Sequence, residues 1–267
     1  MISWLSLFFP VLAYSLISIG FVLMKRGISW INYKGEKNRT YYKNLLTWVL
    51  GFLILNSSIV PNAVALNELE PHIVSAFAGW GVIVLVFLSN IVLKEKIYKS
   101  DFIYTLVIFI SIIMLNIFEQ KKDQTFVQIP YFISVSVFPF FMLVLTLFKK
   151  VSRRLKTILF ASVSGISTGM IIVSVKVLVT FSGFHVKLYF SSPYFYVYLF
   201  FSLAAFITLQ ISYKLGHMML VGPVQYSAAI IYPALCTYLV FGNHITMIQI
   251  VSLLLIIYGT ANIMKRH

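Results

Sequence analysis

Charge is what this chain has least of. Only 10% of its 267 residues are Asp, Glu, Lys or Arg, while 60% are hydrophobic; a soluble domain is roughly half apolar and about a quarter charged. That balance excludes an ordinary water-soluble globule. Acids are scarcest. Seven carboxylates, Glu36, Glu68, Glu70, Glu95, Asp101, Glu119 and Asp123, stand against 21 Lys and Arg, and each falls in a loop or at the end of an apolar run. This argues against a carboxylate relay buried mid-membrane and weakens any site that must strip water from a hard divalent cation, which wants oxygen anions. The single cysteine, Cys236, excludes an intramolecular disulfide and a cysteine-built metal site. Within an apolar run it reads as a small core residue. Long polar connections are lacking too. The longest, Lys25 to Asn44, leaves no room for a separate soluble domain, and no cofactor is called for.

What is present is a series of uncharged runs close to the about 20 residues that cross a hydrocarbon core. They lie near Ser3 to Met24, Leu45 to Ala65, Ile73 to Leu93, Phe102 to Phe118, Tyr131 to Phe148, Ile158 to Thr180, Tyr194 to Tyr213, Val221 to Phe241 and Met247 to Met264. The pattern predicts an all-α, polytopic integral membrane protein of about nine transmembrane helices, with residues 1–267 forming one transmembrane domain. The first run lacks a basic leading segment and a small-residue cleavage site, and its positive charges follow it, so it reads as a retained helix rather than a signal peptide.

A formal net charge of +14 raises the question of nucleic acid, and the placement of the charges answers it. Lysine and arginine mark the cytoplasmic side of membrane proteins. With the N-terminus outside and the C-terminus cytoplasmic, nine spans put Lys25, Arg26, Lys34, Lys37, Arg39, Lys43, Lys94, Lys96, Lys99, Lys149, Lys150, Arg153, Arg154, Lys156, Lys214, Lys265 and Arg266 inside. Only Lys121, Lys122 and Lys187 fall outside, and Lys176 lies within a span. A basic inner face beside anionic lipid explains the charge, so the lipid bilayer is an expected partner and nucleic acid is not. The sequon at Asn38 falls on the inner side, where it is not glycosylated.

Transporters often carry internal repeats of opposite orientation. The segment from Val74, VSAFAGWGVIVLVFLSNIVLKEKI, resembles that from Val221, VGPVQYSAAIIYPALCTYLVFGNHI. The turn before the first copy is predicted outside and that before the second inside, which predicts an inverted repeat with halves of about 1–120 and 129–267.

Within the spans, Lys176 is the clearest embedded charge. It can snorkel to the outer interface or face a polar pathway. At roughly 100° per residue it shares a narrow face with Ser162, Gly165 and Gly169, and small residues mark packed helix faces. The run Gly165-Ile166-Ser167-Thr168-Gly169 satisfies both G-x-x-x-G and the hydrolase G-x-S-x-G. The helix-packing reading prevails, because a nucleophile elbow needs a strand-to-helix turn and a triad acid, and no acid follows Asp123. No enzyme is expected. Asn56, Asn90, Gln210, Tyr213, Gln225 and Tyr226 are polar residues that need partners inside a membrane, and Pro233 interrupts the eighth span; each is a candidate to line a solute path, or else an interhelix hydrogen bond. Glu68 and Glu70, with His72, form an outer acidic turn that is either a solvated loop or a vestibule attracting cations. The metal ligands, if any, are not identifiable from the pattern.

These motifs resemble a known family. Trp48 through Glu70-Pro71, Ile73-Val74-Ser75 and on to Leu93-Lys94-Glu95 resembles the first half of the drug/metabolite transporter superfamily, where a similar span ends in an acid at the inner surface. Ser174-Val175-Lys176, Gln210-Ile211-Ser212-Tyr213 and Val221-Gly222-Pro223 followed by Gln225-Tyr226 resemble the S-V-K, Q-x-x-Y and V-x-P patterns of its NIPA-like magnesium transporter branch. The resemblance implies a nine-helix transporter of a small molecule or ion. A departure stands at Ser58, Ile59 and Val60, where the NIPA-like pattern has a Gly-Glu pair. The substrate expectations are therefore magnesium or another cation, or else a small organic metabolite or drug. A structural or partner-binding membrane protein is the rival from another class, and the small-residue faces also suit a homodimer.

Overall fold

The computed structural model describes the chain apart from residues 1–3, 33–37, 69–73, 75–76, 118–126, 148–151, 183–189 and 243–244. The described residues are helical, with no strand among them. In chain order they form α1 (Trp4–Gly27), a 3-10 turn (Ile28–Asn32), α2 (Arg39–Ser57), α3 (Ile59–Glu68), α4 (Ala78–Leu93) and α5 (Lys99–Ile117). Then follow α6 (Ile129–Leu147), α7 (Arg153–Ser182), α8 (Pro193–Leu215), α9 (Met218–Phe241) and α10 (Met247–Arg266).

Seven of these stretches are long and apolar enough to cross a membrane: Leu7–Ile31, Arg39–Asn62, Lys99–Asn116, Arg153–Leu178, Pro193–Leu215, Met218–Phe241 and Met247–Arg266. The second of them joins α2 to the start of α3 through a single turn at Ser58, whose amide and hydroxyl both bond to the Leu55 carbonyl. The predicted third and fifth spans fall instead on shorter apolar helices, Ala78–Leu93 and Ile129–Val144. Sixteen residues rise only about 24 Å at 1.5 Å each, against a hydrocarbon core of about 30 Å, so length alone does not make α4 a span. Large apolar side chains point outward along most helices, among them Phe8, Leu46, Leu53, Phe87, Leu203 and Leu254. Such a surface suits lipid and not water. Several long apolar helices with lipid-compatible flanks make this a multi-pass membrane protein.

The chain divides into two compact units. The first comprises Met1–Glu119, His217–Pro223 and Met247–His267; the second comprises Gln120–Gly216 and Val224–Thr246. The chain passes from one to the other within α9, between Pro223 and Val224.

In the first unit, α1 and α2 meet through glycines. A Cβ at Gly20 would lie 2.7 Å from the Gly51 carbonyl oxygen, one at Gly51 would lie 2.6 Å from the Met24 nitrogen, and one at Gly27 would lie 2.5 Å from the Asn44 carbonyl oxygen. Lipid gives no hydrophobic push between helices, so backbone approach at small residues supplies the packing. Helix α1 also holds α4, with the Ser18 hydroxyl donating to the Gly81 carbonyl at 2.7 Å and the Trp80 indole donating to Ser15 Oγ at 3.0 Å. Helices α5 and α10 pair at Gly259, which faces Ile108 and the Tyr104 carbonyl.

In the second unit, α7 lies along α8. The Ser164 hydroxyl donates to the Ala205 carbonyl at 2.9 Å and the Arg153 guanidinium donates to the Leu215 carbonyl at 3.0 Å, so the two helices run antiparallel. Met170, Val173 and Val177 of α7 join Phe132 and Val135 of α6, Phe201 of α8, and Cys236, Val240 and Phe241 of α9 in one apolar cluster. The Tyr232 hydroxyl donates across it to the Val135 carbonyl.

Candidate functional site

The polar residues of the second unit are carried by α7, α8 and α9. On α7, Gly165 and Gly169 are set against α9. A Cβ at Gly165 would lie 2.3 Å from the Gln225 carbonyl oxygen and 2.6 Å from the Ala228 Cβ, and one at Gly169 would lie 2.6 Å from Cδ of Pro233. The close approach explains how α9 accommodates Pro233 inside a membrane helix. Proline removes one backbone hydrogen bond and crowds the preceding turn, and here its ring fills the gap left by a glycine. Seven residues beyond Gly169, and so on the same side of the helix, Lys176 places its ammonium 4.6 Å from the centroid of the Phe241 ring, at the far end of α9. A cation over a phenyl face is stabilised by about 0.5–2 kcal/mol, which offsets only part of the several kcal/mol that a charge at membrane depth costs.

The second unit also buries amides and phenols. Gln210 and Tyr213 of α8 are 7% and 1% exposed, and Gln225 and Tyr226 of α9 are 5% and 6% exposed. In an apolar interior each such group raises the free energy by about 1–3 kcal/mol unless it is bonded, so each of the four needs a partner within the protein. Lys176, Gln210, Tyr213, Gln225, Tyr226 and Pro233 all belong to the second unit. Ser167 and Ser174, two fully buried α7 serines whose hydroxyls have no hydrogen-bond partner, stand in the same unit; the sequence reading placed them in the G-x-S-x-G and S-V-K motifs and gave neither a place on the solute path. Serine in a helix usually turns back on its own backbone, and no feature of the sequence separates these two from the many that do.

The remaining sequence candidates stand elsewhere. Asn56 and Asn90 fall in the first unit and both are exposed: Asn56 donates to the Phe52 carbonyl of its own helix at 2.7 Å and Asn90 donates to the Glu95 carbonyl at 2.8 Å. Ile59 and Val60, where the NIPA-like pattern has its Gly-Glu pair, are exposed apolar side chains. Glu70 and His72, together with the side chain of Glu68, lie outside the described residues. Among the described residues, no three His, Cys, Asp or Glu side chains gather where they could hold a metal ion.

Two acids of the first unit do more than their sequence positions suggest. Helix α4 ends at Lys94 in the left-handed region, φ 57°, with the Glu95 amide donating back to the Ser89 carbonyl at 3.3 Å. This turn aims the Glu95 carboxylate at the start of α9, where its two oxygens accept from the Met218 amide at 2.7 Å and the Met219 amide at 2.8 Å. Those N–H groups have no partner within their own helix, and the positive end of the helix dipole favours the carboxylate. The Ser89 hydroxyl lies 3.1 Å from Met219 Sδ, and a Cβ at Gly222 would lie 2.3 Å from Leu85, so α4 grips the first two turns of α9. Asp101 stands in the first turn of α5, at a helix end as its place in the sequence predicts, yet it is fully buried and lies against His267.

No protein-family model, curated protein or solved structure matches this chain.

Proposed function

We propose that this protein carries a small solute across a membrane by alternating access, and that the solute path runs along the polar interior of the second unit. The observation that supports it is Lys176: a lysine within a span, on the glycine face of α7 and over an aromatic ring, in a unit that also buries Gln210, Tyr213, Gln225 and Tyr226. Ionisable residues at membrane depth are costly and ordinarily belong to substrate paths, and a helix interrupted by proline is a common place for a transporter to hold its solute. Lys176 supplies a positive field for an anionic or carboxylate-bearing solute, or a fixed counter-charge.

The motif resemblance to the drug/metabolite transporter superfamily, closest to its NIPA-like magnesium branch, supports the same class of activity and leaves two kinds of cargo. Magnesium or another cation would be drawn by Glu68 and Glu70 at an outer vestibule. A small organic metabolite or drug would be held by the amides and phenols of the second unit, a reading favoured by the exposed apolar pair Ile59 and Val60 where the branch pattern carries an acid. The rival of a structural, partner-binding membrane protein draws on the small-residue faces, but Gly165 and Gly169 are already covered by α9.

Flux into proteoliposomes tests these readings, comparing magnesium with a panel of small organic metabolites, each with and without a proton gradient. Saturable flux lost in Lys176→Ala supports the assignment of the path. Magnesium flux weakened by Glu68→Gln and Glu70→Gln supports the cation. Absence of saturable flux for every solute would overturn transport.

A further inference from the structure

We propose that the second unit binds an anionic phospholipid where α7 begins and α8 ends, with Arg153, Arg154, Lys156 and Lys214 holding the phosphate and an outward stripe of α8 carrying an acyl chain. Unlike the diffuse attraction of a basic membrane face for anionic lipid, this site has fixed parts. Arg153 and Lys214 are 61 positions apart in the chain, and the packing of the two helix ends brings them together. The Arg153 guanidinium donates from Nε to the Leu215 carbonyl at 3.0 Å and from Nη2 to the Lys214 carbonyl at 3.4 Å, and Thr157 lies against Gly216. These bonds use two of the five N–H donors of a guanidinium. Arg153 thus closes the end of α8 and keeps donors for a phosphate, whose oxygens suit the fork of an arginine. Arg153 and Arg154 are exposed, and Lys156 and Lys214 are half-buried.

Like charges gathered at one end of a unit repel one another and attract counter-charge. The described residues of the second unit include no carboxylate: its sequence holds a single acid, Asp123, which lies outside the described residues and is separated from Arg153 in the chain by the whole of α6. The counter-charge has to come from outside the unit. Depth points to lipid as its source. Two stretches long enough to cross a membrane, Arg153–Leu178 and Pro193–Leu215, both terminate at this cluster. The first has 26 residues, about 39 Å at 1.5 Å each, which exceeds a hydrocarbon core of about 30 Å. Shared between the two ends, the excess leaves the first turn of α7 among the lipid headgroups. The neighbouring surface points the same way. Lys214 shares a face of α8 with Ile207 and Leu203, whose side chains are 54% and 63% exposed, and Leu155, between the cations of α7, is 47% exposed. A dissolved anion leaves such an apolar stripe uncovered, whereas a phospholipid covers it while its phosphate meets the cations.

Native mass spectrometry of the full chain in detergent tests the site, by titration with dioleoylphosphatidylglycerol or dioleoylphosphatidylcholine. Each basic side chain beside an anionic lipid surface is worth about a fivefold change in binding. Arg154→Gln combined with Lys214→Gln should therefore weaken phosphatidylglycerol binding by about twenty-five-fold and leave phosphatidylcholine binding unchanged. Arg154→Lys combined with Lys214→Arg, which conserves the charge, should bind as the unsubstituted protein does. Lys96→Gln combined with Lys99→Gln removes the same charge from the first unit and should leave the tightest phosphatidylglycerol site intact. Equal affinity of the unsubstituted protein for the two lipids, or a loss in the Lys96, Lys99 variant as large as in the Arg154, Lys214 variant, would overturn the proposal. Excess inorganic phosphate or glycerophosphoglycerol, the headgroup without acyl chains, should not displace the lipid; displacement by either would make this a site for dissolved anions and overturn the lipid. Should the double variant fail to fold, Arg154→Gln alone decides, at about fivefold. Solute flux plays no part in the readout, so the site stands or falls separately from transport.

Discussion

Replacing Gly165 with alanine asks how rigid the meeting of α7 and α9 is. The new Cβ would arrive 2.3 Å from the Gln225 carbonyl oxygen, 2.6 Å from the Ala228 Cβ and 3.0 Å from the Ala229 nitrogen. An ordinary contact begins near 3.4 Å, so at the carbonyl the shortfall is 3.4 minus 2.3, or 1.1 Å. The atom in the way is backbone, fixed by the helical ladder of α9, and it cannot turn aside as a side chain would. The helices must separate, and separation withdraws Gly169 from Pro233 as well. Overpacking of this kind costs about 1–3 kcal/mol, and a backbone obstruction belongs at the upper end, so Gly165→Ala should lower the ratio of folded to unfolded protein by about a hundredfold, each tenfold being about 1.4 kcal/mol. Reversible unfolding in bicelles measures this directly. Ser162→Ala, a half-buried neighbour, should stay within about 0.5 kcal/mol of the unsubstituted protein. Adding Ala228→Gly to Gly165→Ala removes the clash between two Cβ atoms but not the clash with the carbonyl, so it should restore only a minor part. A Gly165→Ala protein as stable as the original would refute the backbone contact between the two helices.

Three further substitutions probe other parts of the molecule. Glu95→Ala removes the acceptor for the Met218 and Met219 amides and should cost about 2 kcal/mol, in the range of charge-assisted bonds and helix caps; the check is faster hydrogen exchange at those two amides, with Glu95→Gln falling between. Tyr232→Phe deletes the hydroxyl that bonds to the Val135 carbonyl and should destabilise by about 1 kcal/mol in the same unfolding assay. Phe241→Leu takes the aromatic face from under Lys176 at similar hydrophobicity, and a cost of about 0.5–2 kcal/mol is expected there; an unchanged midpoint would show that the ring does not hold the ammonium.

How much of this was legible beforehand can be judged residue by residue. The apolar run from Ser3 to Met24 announces α1 because a membrane leaves a polypeptide few choices: backbone groups must be satisfied internally, and an uncharged stretch of about 20 residues does so as a helix. The same reasoning located the segments that became α2 through α10; the third and fifth predicted spans fall on α4 and α6, whose described apolar stretches are the shorter Ala78–Leu93 and Ile129–Val144. Spacing along α7 put Gly165, Gly169 and Lys176 on one face because helical periodicity is a local property. What that face would meet is not local. That Gly165 receives the Gln225 carbonyl, that Gly169 receives the ring of Pro233, and that Lys176 ends over Phe241 depends on how α9 comes to lie against α7, some 60 residues later in the chain.

The acids show the same division more sharply. Composition established that carboxylates are few and sit at helix ends, and from that alone Glu95 and Asp101 look alike, two solvated charges at a membrane boundary. Tertiary structure separates them from that description. Glu95 becomes the cap of a helix that begins 123 positions later, and Asp101 becomes a buried partner for a histidine 166 positions away. Hydrophobicity and helical period act between near neighbours and can be read from the order of residues. The fate of a charge depends on whether distant groups close over it and offer donors, and only the packed chain decides that.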